Sequence, residues 1–324
     1  MATIDRLGRY GVDTVFGIPG VHTLEFYRGL EGAGIRHVQA RNEQGDGFMA
    51  EGYALATGQS GVALVISGPG VTNAMTALAQ CYADSLPMLL ILAEPPSHTI
   101  CKGWGFLHDI SEQRAVSAPV TAMSATAMSA ADVPVLLARA FSIFRSERLR
   151  PVHLSIPIDV QEELVADVWP VAASSERPIP APDAIEEAAV RLLGAKHPTI
   201  MVGGGALAAA VPVRQLAEHL GAAVVTSTAA KGLIGDAHPL AVSGGNVRPE
   251  VHAFLRQADC VLAVGTELSD TDSFCEPLRL NGEVIRIDID ARKMNDQYPA
   301  AMPLLADAEP ACQTLLKGAC RAHV

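Results

Sequence analysis

Glu43 stands where a carboxylate could do chemistry. It follows Ile35-Arg36-His37-Val38-Gln39-Ala40-Arg41-Asn42, which reads as a short strand and a turn. It opens a helix that continues through Gly47-Phe48-Met49-Ala50-Glu51-Gly52-Tyr53-Ala54, rich enough in Gly and Ala for close packing on both sides. The pattern predicts a buried acid, and such a group needs a hydrogen-bond partner or is pushed toward its protonated form. A ligand that must receive a proton-linked hydrogen bond would be such a partner. The position also suits an ordinary helix-opening acid favoured by the macrodipole. His22 and His108 each follow a strand or a turn, where α/β proteins place functional groups, whereas His37 and His153 fall within strands and read as core or edge residues.

The elements that would position these groups are short apolar strands alternating with helical patterns. Val15-Phe16-Gly17-Ile18-Pro19-Gly20 is a strand closing on a tight turn ahead of a helix. Gly61-Val62-Ala63-Leu64-Val65-Ile66 is a second strand, followed by the turn Gly68-Pro69-Gly70 and by Thr72-Asn73. Leu86 to Ala93 and Arg150 to Val160 supply two more. Taken in this order, the set resembles the pyrimidine-binding domain of the thiamine diphosphate enzymes of the acetolactate synthase and benzoylformate decarboxylase group. The ordered combination is far more specific than any one of its motifs.

The resemblance implies that Glu43 contacts N1′ of the cofactor's aminopyrimidine, although Asn42 stands where a histidine is usual. Thiamine's reactive carbon loses its proton to the cofactor's own 4′-amino group, which becomes a competent base only when an acid hydrogen-bonds N1′. A desolvated Glu43 would be that acid, its pKa raised by burial. Pro19, Gly20, Gly68, Pro69, Gly70 and Asn73 are then the other cofactor-facing residues, with Gly68 and Gly70 letting backbone approach the ring. His22 and His108 become candidates on the substrate side. Gly17 to Thr23, Tyr82 to Ser85, Leu107 to Asp109 and Phe141 to Val160 resemble a narrower group, the acetolactate synthase-like guanidino-oxopentanoate decarboxylases. The implied substrate is a 2-oxo acid, and a guanidinium-bearing one would want an acidic pocket. Glu94, Asp109 and Glu112 follow strand ends where such a pocket could form, and ordinary loop acids look the same in sequence.

With 324 residues, 49% of them hydrophobic, the chain can build two full cores. The fold class expected is α/β, with two parallel-sheet, three-layer domains: a pyrimidine-binding domain over 1–165, a proline-rich linker over 166–183, and a Rossmann-like domain over 184–324. The turn Gly203-Gly204-Gly205-Ala206-Leu207-Ala208 fits a dinucleotide-binding pattern, yet the next strand ends in Thr226-Ser227-Thr228 without the acid a ribose would need. A plain strand-to-helix turn is the preferred reading. In the family the central domain binds FAD in some members, which leaves FAD open and NAD unsupported.

A net charge of −11 disfavours a nucleic-acid or anionic-membrane surface, and the sequence has no apolar run of membrane-spanning length. Six cysteines without paired spacing point to reduced thiols in the cytoplasm and to no metal site in this chain. Family members carry a third domain whose Gly-Asp-Gly motif and downstream asparagines hold Mg²⁺ and the diphosphate, and nothing after Asp290 resembles it. The expectation is therefore an incomplete chain, inactive alone, that works as a homo-oligomer (dimer or tetramer) or with a separate diphosphate-binding chain. Two competing readings are a non-catalytic dimerising remnant and an FAD- or nucleotide-binding protein.

Overall fold

The computed structural model describes all residues except 166–168, 174, 243–244, 276 and 323–324. It divides into two compact units, Met1–Glu176 and Arg177–Val324. The division falls inside the proline-rich stretch, whose positions 166–168 and 174 lie outside the described residues.

The first unit contains six parallel strands, β1 (Thr14–Gly17), β2 (Arg36–Gln39), β3 (Gly61–Val65), β4 (Met88–Glu94), β5 (Met123–Thr126) and β6 (Val152–Pro157). Their order is β2-β1-β3-β4-β6-β5. Strand side chains alternate between faces, so each central strand feeds two cores. Val62, Leu64, Leu89 and Ile91 pack with Ile4 and Leu7 of α1 (Ala2–Arg9), while Ala63, Val65, Leu90 and Leu92 face the other way. α2 (Leu24–Leu30) follows β1, and α3 (Glu43–Thr57) and α4 (Pro69–Asp84) cover the second face through Ala50, Ala74 and Leu78. The short α5 (Gln113–Ser117) precedes β5, and α6 (Asp132–Ser146) joins the first core through Leu137 and Ala140. Because β1 and β3 are neighbours, the turns at their carboxyl ends lie side by side, the crevice where open α/β sheets bind ligands.

The second unit follows α7 (Ile158–Gln161) of the first and opens with α8 (Pro182–Gly194), which starts two residues inside the expected linker with Pro182 at its first turn. Its strands are β7 (Pro198–Val202), β8 (Ala223–Thr226), β9 (Ala241–Val242), β10 (Cys260–Val264), β11 (Glu283–Asp288) and β12 (Met302–Leu305), in the order β12-β11-β10-β7-β8-β9. That is the doubly wound arrangement, with its crevice between β7 and β10. Here the crevice is closed by the chain itself. The Gly205 amide donates to the Gly265 carbonyl at 3.0 Å, and a Cβ built on Gly203 would sit 2.3 Å from that same oxygen. The glycines of the Gly203–Ala208 turn thus serve backbone packing, and a 3₁₀ turn (Gly204–Ala209) leads into α9 (Ala210–Leu220). Among the described residues no helix is long and apolar enough to cross a membrane.

Candidate active site

The turn Ser67-Gly68-Pro69-Gly70 is the hub around which the first unit gathers its candidate residues. It links β3 to α4, and Pro69 occupies the first helical position, where its missing N–H costs nothing. Ser67 is fully buried, and its hydroxyl meets His22 Nδ1 at 2.7 Å. That bond joins the turn after β1 to the turn after β3. Thr23 fixes the first turn by accepting from the Gly20 amide at 3.0 Å, so Gly20 is held in place while Pro19 lies exposed. His22 is itself buried, and desolvation first, then the neighbouring His108, push its pKa down. It is therefore a neutral ring at pH 7, hydrogen-bonded through Nδ1.

His108 comes to the same place from the long segment after β4. Its ring lies edge-on to His22 with centroids 6.4 Å apart, and its Nδ1 is buried without a hydrogen-bond partner. The backbone at His108 has φ 59°, and its carbonyl presses against Gly68. A Cβ there would lie 2.4 Å from the His108 oxygen, so the space a side chain would need at Gly68 is taken by the protein's own backbone. The Gly68 amide is also spent, donating to Gln113 Oε1 at 2.9 Å. Gln113 in turn donates to Ala93 O and to Ser155 Oγ, and Ser155 Oγ meets His153 Nε2 at 2.7 Å. His153, expected as a core histidine, is a fully buried member of this polar chain, and burial depresses it to about 3. Gly68→Ala combines a φ of +57° with that clash, and is expected to cost about 1–3 kcal/mol of stability. A thermal melt with no loss would mean that the His108 segment yields freely.

Glu43 lies on the opposite side of the hub. Asn42 caps α3, accepting from the Gln44 amide at 2.9 Å, which gives the residue found in place of the usual histidine a structural duty. Glu43 is the first helical residue, and its Oε2 accepts from Asn73 Nδ2 at 2.9 Å. Asn73, expected to fix the turn, thus tethers the acid across α3 and α4. Gly70 completes the contact: a Cβ on it would lie 3.7 Å from Glu43 Cγ and 2.8 Å from Ile66 Cγ2. Gly20 likewise lies against Ile66, where a Cβ would be 2.9 Å from Cδ1.

Glu43 is only half-buried, contrary to the sequence-based expectation of an enclosed acid. Pro69 and Asn73 beside it are exposed, so one side of its carboxylate faces open space. The enclosed acid is Asp46, three residues on, whose carboxyl is pushed up to about 7 by burial and then by Glu43. Sequence reasoning passed over it, although the run Gly45-Asp46-Gly47 was a signal, since glycines let neighbours close over the side chain between them.

Of the three acids proposed for a guanidinium pocket, two come together. Glu94 ends β4, is buried, and is raised to about 7 by desolvation, with Glu112 adding to the rise and Thr126 and Arg114 opposing it. Arg114 pairs with Glu112 at 3.4 Å, whereas one carboxyl oxygen of Glu94 is buried without a hydrogen-bond partner. Asp109 is not joined to them; its amide closes a turn on Phe106. Among the described residues no group of three His, Cys, Asp or Glu side chains is placed to hold a metal ion.

The chain is similar to known proteins along nearly its whole length. Residues 1–115 match the thiamine pyrophosphate enzyme N-terminal TPP binding domain, and residues 185–315 match the central domain of the same enzymes. A Pseudomonas aeruginosa protein named as a 2-ketoarginine decarboxylase, AruI, is 51% identical over 97% of this chain and 57% of its own length. The acetolactate synthase large subunit of Corynebacterium glutamicum is 33% identical over 98% of this chain and 52% of its own. An X-ray structure from Mycobacterium smegmatis, titled as a thiamin diphosphate-dependent enzyme, superimposes with a TM-score of 0.83 at 24% identity, covering 98% of this chain and 62% of that one. The chain spans little more than half the length of the curated relatives it matches. Matched in both of its units and along nearly its whole length, the chain belongs to the thiamine pyrophosphate enzymes, of which it carries the N-terminal TPP-binding and central domains.

Proposed function

We propose that the first unit holds the aminopyrimidine end of thiamine diphosphate against Glu43, in an enzyme that decarboxylates a 2-oxo acid bearing a guanidinium group. The observation that carries this reading is the state of the Glu43 carboxylate. One oxygen is tethered by Asn73 while the other side is open, at the carboxyl end of neighbouring parallel strands. A ring nitrogen placed on the open side would meet an acid already fixed in direction, and pre-fixed geometry is what such a contact needs. The substrate class is taken from the 51% identical relative, and the acetolactate synthases support the broader 2-oxo acid chemistry.

When bound, thiamine diphosphate supplies the electron sink for loss of carbon dioxide. The chain's own residues bind, orient and handle a proton. Glu43 holds a proton at the ring nitrogen, and Asn73 prevents its carboxylate from swinging away. The packed turns at Gly20 and Gly70 set the floor on which the ring would rest. His22, neutral and anchored to Ser67, and His108 beside it are the substrate-side groups. Glu112 is not assigned to the guanidinium, since Arg114 already pairs with it, and Glu94 is not assigned because it is enclosed and pushed toward its protonated form.

On this reading the diphosphate and its Mg²⁺ are held by residues of a further domain or chain, and the working enzyme is a cytoplasmic homo-oligomer. Flavin has weaker support: the Gly205 amide is already bonded and Gly203 is packed against Gly265.

The test is a titration with thiamine, which carries the ring without the diphosphate, followed by amide NMR. Saturable shifts at Gly20, Glu43, Gly70 and Asn73 are expected, with a dissociation constant on the order of 1 mM, about −4 kcal/mol. They should weaken in Glu43→Gln. Amides that stay unmoved at several times that concentration would overturn the reading.

A further inference from the structure

The most deeply buried acid near the site has no role in the reading above. Asp46 lies one helical turn beyond Glu43 on α3, is fully enclosed, and neither of its carboxyl oxygens has a hydrogen-bond partner. Ionised, it would be an unpaired charge in an apolar setting, so the group stays neutral instead. Glu43, three residues earlier and therefore its neighbour on the helix surface, has the opposite surroundings: it is half open to water and accepts an N–H from Asn73. The surroundings of Asp46 favour its protonated form, and the two acids differ in what they meet, the arrangement that separates the roles of two nearby acids.

We propose that Glu43 and Asp46 form a coupled carboxyl pair in which Asp46 keeps its proton, which makes Asp46 a positioning residue for Glu43. The inference rests on the reading of Glu43 as the cofactor-facing acid and deepens it. The groups facing the pair come from four elements. Tyr27 of α2 has a hydroxyl that is also buried without a partner, and burial followed by Asp46 drives its pKa upward. His37 of β2 stacks edge-on against Tyr27 and has its Nε2 3.0 Å from the Gly17 carbonyl. The Ala40 amide, just before α3, faces Asp46 outside hydrogen-bond geometry and is the weakest influence on it. Asn73 of α4 serves Glu43 alone. None of these is a fixed positive charge, so a second negative charge on the pair would stand uncompensated.

Asp46 therefore adds no charge of its own, and Glu43 alone faces the ring. Asp46 senses the charge of Glu43, and this coupling separates a working pair from an acid that is merely buried.

Infrared spectroscopy of the chain, titrated from about pH 5 to about pH 9 across the window in which Asp46 should ionise, tests the pair. The carbonyl stretch of a protonated carboxylic acid is distinct from carboxylate absorption. The wild-type minus Asp46→Asn difference is expected to show one protonated acid near pH 5 that disappears as the pH rises through about 7, with Asp46→Ala as the second reference should Asn disturb folding. Glu94, the other buried acid pushed upward, is present in all chains and cancels. Glu43→Gln should move the titration of that band to lower pH. The pair is overturned if the difference shows no protonated acid near pH 5, or if the midpoint ignores Glu43→Gln. Thiamine titration of the same samples separates the failures. A band without ring binding refutes the cofactor reading alone, and ring binding without the band refutes the pair alone.

Discussion

Glu43→Gln is expected to lower thiamine diphosphate-dependent turnover by about 10²–10⁴-fold, the usual range for loss of an acid–base group. The change should be read in initial rates of 2-oxo acid decarboxylation, at saturating cofactor and Mg²⁺, in the enzyme that contains this chain. Glutamine matches glutamate in size, and its carbonyl can still accept from Asn73 Nδ2. It cannot take or hold a proton. The tether, the helix start and the packing against Gly70 should survive, so a large loss isolates proton handling from geometry. Stability should fall only by about 0.3–1 kcal/mol, because a negative charge at the first turn of α3 is lost. Turnover within a few-fold of wild type would show that the carboxylate is not the acid at the ring.

A second comparison sharpens the first. Glu43→Asp keeps the charge and shortens the arm by one methylene, withdrawing the carboxylate from both Asn73 and an incoming ring. If the proton alone mattered, Asp would recover most of the activity. Since placement by about 1 Å is enough to cost about 10²-fold, Asp is expected to remain closer to Gln than to wild type.

Much of this arrangement was legible in the sequence, and the reasons differ from element to element. β3 and β4 are buried on both faces, so Gly61–Val65 and Leu86 to Ala93 read as apolar runs. β5, β9 and β12 were not identified. Met123-Ser124-Ala125-Thr126 is half polar because Ser124 belongs to the His153 network, and Ala241-Val242 is too short to have a period. In β12 only Met302 and Leu304 point inward, a pattern that spans too few residues to stand out. The position of Glu43 at a helix start was correct, because Asn42 and the following glycines mark it locally. Its burial was not, since burial depends on which neighbours close over it. Asn73 lies thirty positions away and Asp46 takes the inward-facing place. Gly68 depends on tertiary structure in the same way. A glycine says that something approaches closely, and only the tertiary structure says that the backbone of His108 does so on its Cβ side.

Asp46→Ala is expected to make the first unit more stable at pH 8 and to remove a slope in its stability below neutrality. The sign follows from proton binding. Unfolded, Asp46 titrates near its ordinary 3.8; folded, it titrates near about 7, raised by burial first and by the charge of Glu43 second. The folded form thus binds the proton more tightly, and the stabilisation this provides is complete below about pH 4 and gone above about pH 7. Across that window wild type should lose up to about 4 kcal/mol on account of this one group, at about 1.4 kcal/mol per pH unit. Alanine has no proton to bind and suits a helix interior better than aspartate. Glu94 contributes a similar slope in both chains and cancels in the comparison. Urea unfolding followed through the transition of the first unit should show the variant ahead by about 2–4 kcal/mol at pH 8, once a modest packing loss is deducted. Near pH 4 the two should converge, because a neutral Asp46 no longer burdens the fold. A constant difference at all pH values would mean that Asp46 is ionised in the folded chain, and that its carboxylate finds a donor which the enclosed site does not show.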